Sequence, residues 1–229
     1  MINITTEEKR LEINKKLEEK GVRFVDINTA YIDEGVEIGQ GTVIYPTVVI
    51  EGNSRIGENC VIGMCSRIVN SVIGDGTDVQ NSVITDSEVG SETTVGPFAY
   101  MRPGSRVGNR CKVGDFVEIK NSTFGNGSKA AHLTYVGDSD VGENVNLGCG
   151  VVFVNFDGRE KTRSTVDDGA FIGCNSNLVS PVHVGSKAYI AAGSTVTDDV
   201  PDDGMYIARE RGTIKENWVS RKGILIRKK

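Results

Sequence analysis

From Ile38 an aliphatic residue returns at every sixth position: Ile38, Ile44, Ile50, Ile56, Ile62 and Ile68. The register slips by single residues through Ile73, Val79 and Ile84. It then resumes at Val89, Val95, Met101, Val107, Val113 and Ile119. A last run keeps the spacing at Ile172, Leu178, Val184, Ile190 and Val196. A helix repeats its apolar face every ~3.6 residues and a half-buried strand every ~2, so neither explains a period of six. A solenoid does: each hexad forms one short flat face with its aliphatic pointing inward, and three faces close a coil of about 18 residues. The spacing therefore predicts an all-β solenoid, a parallel β-helix of hexapeptide repeats.

Such a repeat builds one elongated body, and three parts are expected along it: a helix and linker over 1–33, the β-helix over 34–200, and a basic arm over 201–229. Residues 5–20, TTEEKRLEINKKLEEK, are rich in helix formers, with Thr5 or Thr6 as N-cap and Gly21 as stop. Leu11, Ile13 and Leu17 give only a thin apolar stripe, so this helix is expected to lie on something else. The arm carries Arg209, Arg211, Lys215, Arg221, Lys222, Arg227, Lys228 and Lys229 against Glu210 and Glu216. Each buried aliphatic contributes about 1.5–3 kcal/mol of transfer energy, offset by roughly 1–2 kcal/mol per residue of backbone ordering. That margin is thin for one coil, so the ends need caps, and the helix and the arm are the candidates.

A formal net charge of -5 argues against nucleic acid as a partner of the body. The N-terminal stretch lacks the apolar core of a secretory signal, and no run reaches the roughly 18 apolar residues of a membrane span. Cys60, Cys65, Cys111, Cys149 and Cys174 are odd in number and without CxxC spacing, which favours reduced thiols and a cytoplasmic location. No metal site is expected. His132 and His183 are the only histidines, too few for a three-histidine metal site. His183, in the regular hexad PVHVGS, reads as structural.

Polar residues without a structural role gather between 98 and 163. Arg102 precedes the Pro103-Gly104 corner, and Glu118 and Lys120 flank the inward Ile119. His132 and Tyr135 follow in GSKAAHLTYVGD, then Asn146 in NVNLGCG, then Asn155 and Lys161 in NFDGREK. Arg102 and Lys120 are one coil apart in sequence and should stack. Two stacked cations repel unless an anion lies between them, and a phosphate fits that place. Beyond Phe153 the ladder breaks until Ile172, with the turn pair Asp157-Gly158 inside the gap, so a polar excursion is expected there.

In this order and spacing, GPFAYMRPG, VGDFVEIK, GSKAAHLTYVGD, GENVNLGCG, NFDGREK and AAGSTVTDDVP resemble the C-terminal acetyltransferase domain of the bacterial bifunctional N-acetylglucosamine-1-phosphate uridyltransferase/glucosamine-1-phosphate N-acetyltransferases. The likeness spans nearly the whole chain. The glycine-rich nucleotide loop of the uridyltransferase half has no counterpart in it, which reads as a free-standing acetyltransferase.

The resemblance implies a left-handed β-helix, a homotrimer with sites between subunits, and acetyl-CoA-dependent N-acetylation of glucosamine-1-phosphate without a metal. A separate uridyltransferase is a further implied partner. Carried over residue by residue, His132 resembles the general base and Glu118 the carboxylate that orients it. Arg102, Lys120, Tyr135, Asn146 and Lys161 match the sugar-phosphate contacts. The backbone near Asn155-Phe156 matches the oxyanion donor. Cys149, Asn155, Phe156, Cys174, Ala192 and Arg209 fall on the acetyl-CoA side. Cys149, Phe156 and Cys174 depart from the family's usual Ala, Tyr and Ser. Two other readings stand beside this one: the same chemistry on another, nucleotide-linked amino sugar, and a catalytically silent scaffold subunit.

Overall fold

Thr6 opens the part of the chain described by the computed structural model, residues 6–223. Its side chain accepts a hydrogen bond from the Lys9 N–H at 3.4 Å and caps α1, Glu7–Glu19. Thr5, the other candidate cap, lies outside the described residues, as do Arg227, Lys228 and Lys229. Gly21, at φ +95°, ends the helix in the left-handed region that glycine enters without steric cost. The face α1 buries is Arg10, Ile13, Asn14 and Leu17, and Leu11 is only half-buried. Two of the four buried residues are polar, so hydrogen bonds share the work of seating the helix. Asn14 Nδ2 donates to the Ile27 and Ala30 carbonyls at 2.9 and 3.1 Å, and the Arg10 guanidinium stands 4.8 Å over the Tyr31 ring.

Behind α1 the chain coils into three parallel sheets, here A, B and C, of eleven, ten and nine strands. Sheet A runs from Arg23–Phe24 to Met205–Tyr206, sheet B from Tyr31–Ile32 to Thr195–Val196, and sheet C from Glu37–Ile38 to His183–Val184. The ladder thus reaches past 34–200 at both ends. Within a strand the hexad aliphatic points in and its neighbours point out. Ile44, Ile50, Ile62, Ile68, Ile119 and Ile172 are fully enclosed, and Phe124 and Phe153 are the largest side chains buried with them.

The slips in the period have a local cause. Five corners turn in one residue fewer than the rest, at Asn70-Ser71, Asn81-Ser82, Asp86-Ser87, Asn121-Ser122 and Asp138-Ser139. In each, the Asn or Asp is left-handed, with φ between 40° and 47°. These are the non-glycine residues that tolerate that region best. The serine hydroxyl that follows donates back to the carbonyl two residues earlier, at 2.6–2.8 Å.

The polar excursion is a short antiparallel loop. Phe156 and Lys161 face each other in an isolated bridge, and Asp157 Oδ1 accepts from the Arg159 and Glu160 N–H groups at 2.8 and 2.7 Å. The coil that carries it is longer by this loop, so Asn146 pairs with Phe171. At the far end Tyr206 packs against the core and Ala208 N–H donates to Ser194 Oγ at 3.1 Å. The arm beyond is exposed and includes a short helix, Trp218–Arg221.

Candidate active site

Glu118 and Lys120 point outward from sheet B on either side of the buried Ile119. The coil below pairs Tyr100 with Glu118 and Met101 with Ile119, and the Arg102 N–H donates to the Ile119 carbonyl at 2.8 Å. Arg102 and Lys120 therefore do share one column, but each already has a carboxylate of the chain. Arg102 Nη1 meets Glu118 Oε1 at 2.8 Å, and Lys120 Nζ meets Asp138 Oδ2 at 2.8 Å. The repulsion expected between stacked cations is answered from within the protein.

The two pairs differ in burial. The Arg102 and Glu118 side chains are 40% and 38% exposed, whereas those of Lys120 and Asp138 are 16% and 10% exposed. Burial pushes the Asp138 carboxyl up, but hydrogen bonds from Lys120, Asn121 and Asn155 outweigh it and leave the group below the usual carboxylate range. The bond to Asp138 raises the Lys120 ammonium above its ordinary value. Tyr135, one coil above Glu118, lays its ring along the strand over Gly137, where a Cβ would stand 2.4 Å from Tyr135 Oη. Asn155 Nδ2 reaches both this hydroxyl, at 3.5 Å, and Asp138 Oδ2, at 2.5 Å.

His132 stands at the corner between sheets A and B. Its register partner is Asp115, and Nδ1 lies 2.5 Å from Asp115 Oδ1. An ionised carboxylate only accepts, so Nδ1 carries the proton and the neutral ring keeps its lone pair on Nε2. The bond to His132 holds the Asp115 carboxyl below its ordinary range. Within the chain the carboxylate bonded to this imidazole is Asp115, while Glu118 bonds Arg102. The reason is register: Asp115 and His132 pair across adjacent coils, whereas Glu118 pairs with Tyr135 and its carboxylate is taken by Arg102.

The same corner column continues upward. Ala130 pairs with Leu147, Leu147 with Ile172 and Ile172 with Ile190, which stacks Cys149, Cys174 and Ala192 above His132. The Asn175 N–H donates to the Cys149 carbonyl and the Gly193 N–H to the Cys174 carbonyl, both at 2.8 Å. Arg209 lies against the top, its Cδ 3.7 Å from where a Cβ on Gly193 would sit. Cys149 is half-buried and Cys174 exposed; Cys60 and Cys111 are core thiols. Beside this column runs an apolar ridge of left-handed residues, Phe98, Phe116 and Leu133, each more than half exposed. The two phenyl rings stack at 5.4 Å.

Asn146 lies on the outer face of sheet A, between Lys129 and Phe171, whereas Lys120 and Tyr135 face out from sheet B. One chain does not bring them onto a common surface. In the loop, the Asn155 N–H donates to the Phe153 carbonyl at 3.0 Å. Phe156 and Lys161 occupy the non-hydrogen-bonded position of their bridge, whose bonds run Thr162 to Asn155 and Asp157 to Glu160. The Phe156 N–H therefore points away from the bridge.

Asp115 and Asp138 escaped the sequence reading. Arg163 holds Asp140 with two bonds, at 2.5 and 2.6 Å, and also donates to the Asn121 and Ser139 carbonyls. His183 is paired on the surface of the coil: Nε2 meets Asp167 Oδ2 at 2.7 Å, and the His183 N–H donates to Asp199. Among the described residues no group of three or more His, Cys, Asp or Glu side chains could hold a metal ion, and no helix is long and apolar enough to cross a membrane.

A family model described as bacterial transferase hexapeptide (six repeats) matches residues 35–70. The bifunctional protein GlmU of Clostridioides difficile (strain 630) is 58% identical over 213 residues, 93% of this chain and 46% of that protein. That of Acetivibrio thermocellus is 54% identical over 96% of the chain and 48% of the relative. The chain thus spans about half the length of the curated relatives it matches. Among solved structures, an Arabidopsis UDP-N-acetylglucosamine acyltransferase is 21% identical with a TM-score of 0.48, over 90% of this chain and 73% of that one.

Proposed function

We propose that this chain, which resembles the acetyltransferase half of the bifunctional GlmU proteins, transfers the acetyl group of acetyl-CoA to the amine of glucosamine-1-phosphate. The product is N-acetylglucosamine-1-phosphate, which a uridyltransferase on the same or a separate polypeptide would convert to the UDP-sugar. The observation that carries the reading is the His132–Asp115 pair, because in the neutral ring it turns the Nε2 lone pair out at an exposed corner. An amino sugar is largely ammonium near neutrality and must lose a proton before its nitrogen can attack a thioester. Nε2 takes that proton, typically for a gain of about 10²–10⁴-fold.

The amine then bonds to the acetyl carbon, the carbonyl oxygen takes up charge beside the Phe156 N–H, and collapse expels the CoA thiolate, which is protonated as it leaves. Arg102, Lys120, Tyr135, Asn146 and Lys161 hold the sugar phosphate, and Cys149, Cys174, Ala192 and Arg209 border the CoA slot. Because Asn146 and Lys120 look out from different sheets, the complete site uses two copies of the chain, packed as a homotrimer around the Phe98–Phe116–Leu133 ridge. The substrates are soluble metabolites, in keeping with a cytoplasmic location.

The test is to follow thiol release from acetyl-CoA with glucosamine-1-phosphate, glucosamine-6-phosphate and a UDP-linked amino sugar in parallel. Release dependent on glucosamine-1-phosphate is expected. Preference for the nucleotide sugar would move the acceptor, and no acceptor-dependent release with any of the three would leave a scaffold.

A further inference from the structure

Of the two aspartates at the shortened corners, Asp86 is exposed and accepts one bond, from Asn70 Nδ2 at 3.2 Å. Asp138 is 7% exposed and accepts three, from Lys120 Nζ, Asn121 Nδ2 and Asn155 Nδ2 at 2.8, 2.7 and 2.5 Å. The turn itself does not ask for a charge, since Asn70, Asn81 and Asn121 make the same corner. A buried carboxylate is costly unless its donors are all in place, so the charge at 138 has another use.

What its donors share is the candidate site. Lys120 is the less exposed of the two stacked cations, and Asn155 is the first foot of the loop that carries Phe156 and Lys161. The second foot, Arg163, is fastened independently through Asp140. We propose that Asp138 is a positioning residue: one carboxylate fixes the phosphate-side Lys120 and the loop that presents the oxyanion donor, so the acceptor and donor halves of the site are set from a single point. The inference rests on the function proposed above for its catalytic meaning, but the anchoring is a claim about the free protein.

D138N separates the roles, because asparagine suits the corner and keeps the shape while its amide nitrogen would face donors instead of accepting from them. One arm needs no turnover: label the protein with an amine-reactive reagent and map the peptides, with the exposed Lys129 as internal reference. Lys120 should label several-fold faster in D138N, and amide exchange over 154–163 should speed up while the rest of the coil is unchanged. Wild-type labelling of Lys120 together with unchanged exchange would overturn the anchor.

The second arm is catalytic. D138N and N155A should each lower kcat by about tenfold or more and move KM less, and the double variant should be no worse than the poorer single one. Additive losses, or wild-type kcat in D138N, would show that Asp138 does not act through Asn155. A wild-type protein that acetylates no amino-sugar phosphate would sink the proposed function, while the labelling arm would still decide the anchor. Should D138N not fold, N155A decides it instead. Loop exchange should then rise while Lys120 stays protected, and unchanged exchange would contradict the proposal.

Discussion

Glu118 sits two residues before Lys120, yet it bonds Arg102 in the coil below, with 2.8 Å between Oε1 and Nη1. A phosphate that comes to Arg102 must therefore displace a carboxylate. The pair is open to solvent, where such contacts contribute about 0–1 kcal/mol, so displacement is cheap. Glu118→Gln should tighten binding of inorganic phosphate or glucosamine-1-phosphate several-fold and shift the melting temperature little. Calorimetry checks this, and weaker binding in the variant would mean that Glu118 holds ligand and does not compete with it.

Asp115 fixes the His132 tautomer. In Asp115→Asn the amide can donate to Nδ1, which would place the ring proton on Nε2 and remove the base. The expected result is a fall in kcat of roughly tenfold or more with KM for acetyl-CoA nearly unchanged. Turnover at the wild-type level in Asp115→Asn would free the histidine from this partner.

Gly137 is held by Tyr135 and not by its own backbone. A Cβ there would lie 2.4 Å from Tyr135 Oη, so Gly137→Ala must tilt the phenol off the strand. KM for the sugar phosphate should rise several-fold, with overpacking costing about 1–3 kcal/mol of stability. Unchanged KM would place Tyr135 outside the acceptor pocket.

His183 offers a pH test away from the site. The hydrogen bond to Asp167 raises its pKa above 6.5, assisted by the charges of Asp167, Asp199 and Asp202. A raised folded-state value means stability that is fully present below the unfolded pKa and lost as pH rises through the folded one. His183 is about half exposed, so the contribution is at most about 0.5 kcal/mol. Wild type should be slightly more stable than His183→Gln at about pH 5, and the gap should close above neutrality. A gap that grows with pH would contradict the assigned partner.

The coil was legible because its signal is repeated. Ile38 to Ile68 announce the period before any chemistry is considered, and the slips are visible in it too, but their cause, an Asn or Asp followed by Ser at a shortened corner, shows only in the backbone. The carboxylates of the site are less legible than its cations. Asp138 is one coil beyond Lys120, and Asp115 one coil before His132. An 18-residue step from Lys120 reaches Asp138, but the same step from His132 falls on Gly114, because the shortened Asn121-Ser122 corner takes one residue out of that coil and brings Asp115 into register. The resemblance points to Glu118 as the histidine's partner, and within the chain the carboxylate bonded to His132 is Asp115. The Phe98–Phe116 stack left no trace in the period, since left-handed phenylalanines at a corner look like interruptions of it.

The proposed function turns on His132 as the group that takes the amine proton. The direct measurement is single-turnover acetyl transfer to glucosamine-1-phosphate by wild type and His132→Ala, with acetyl-CoA binding measured on the same preparations. A rate lower by about 10²–10⁴-fold and a nearly unchanged acetyl-CoA affinity are expected in the variant. A variant that transfers acetyl at close to the wild-type rate would contradict that role for His132.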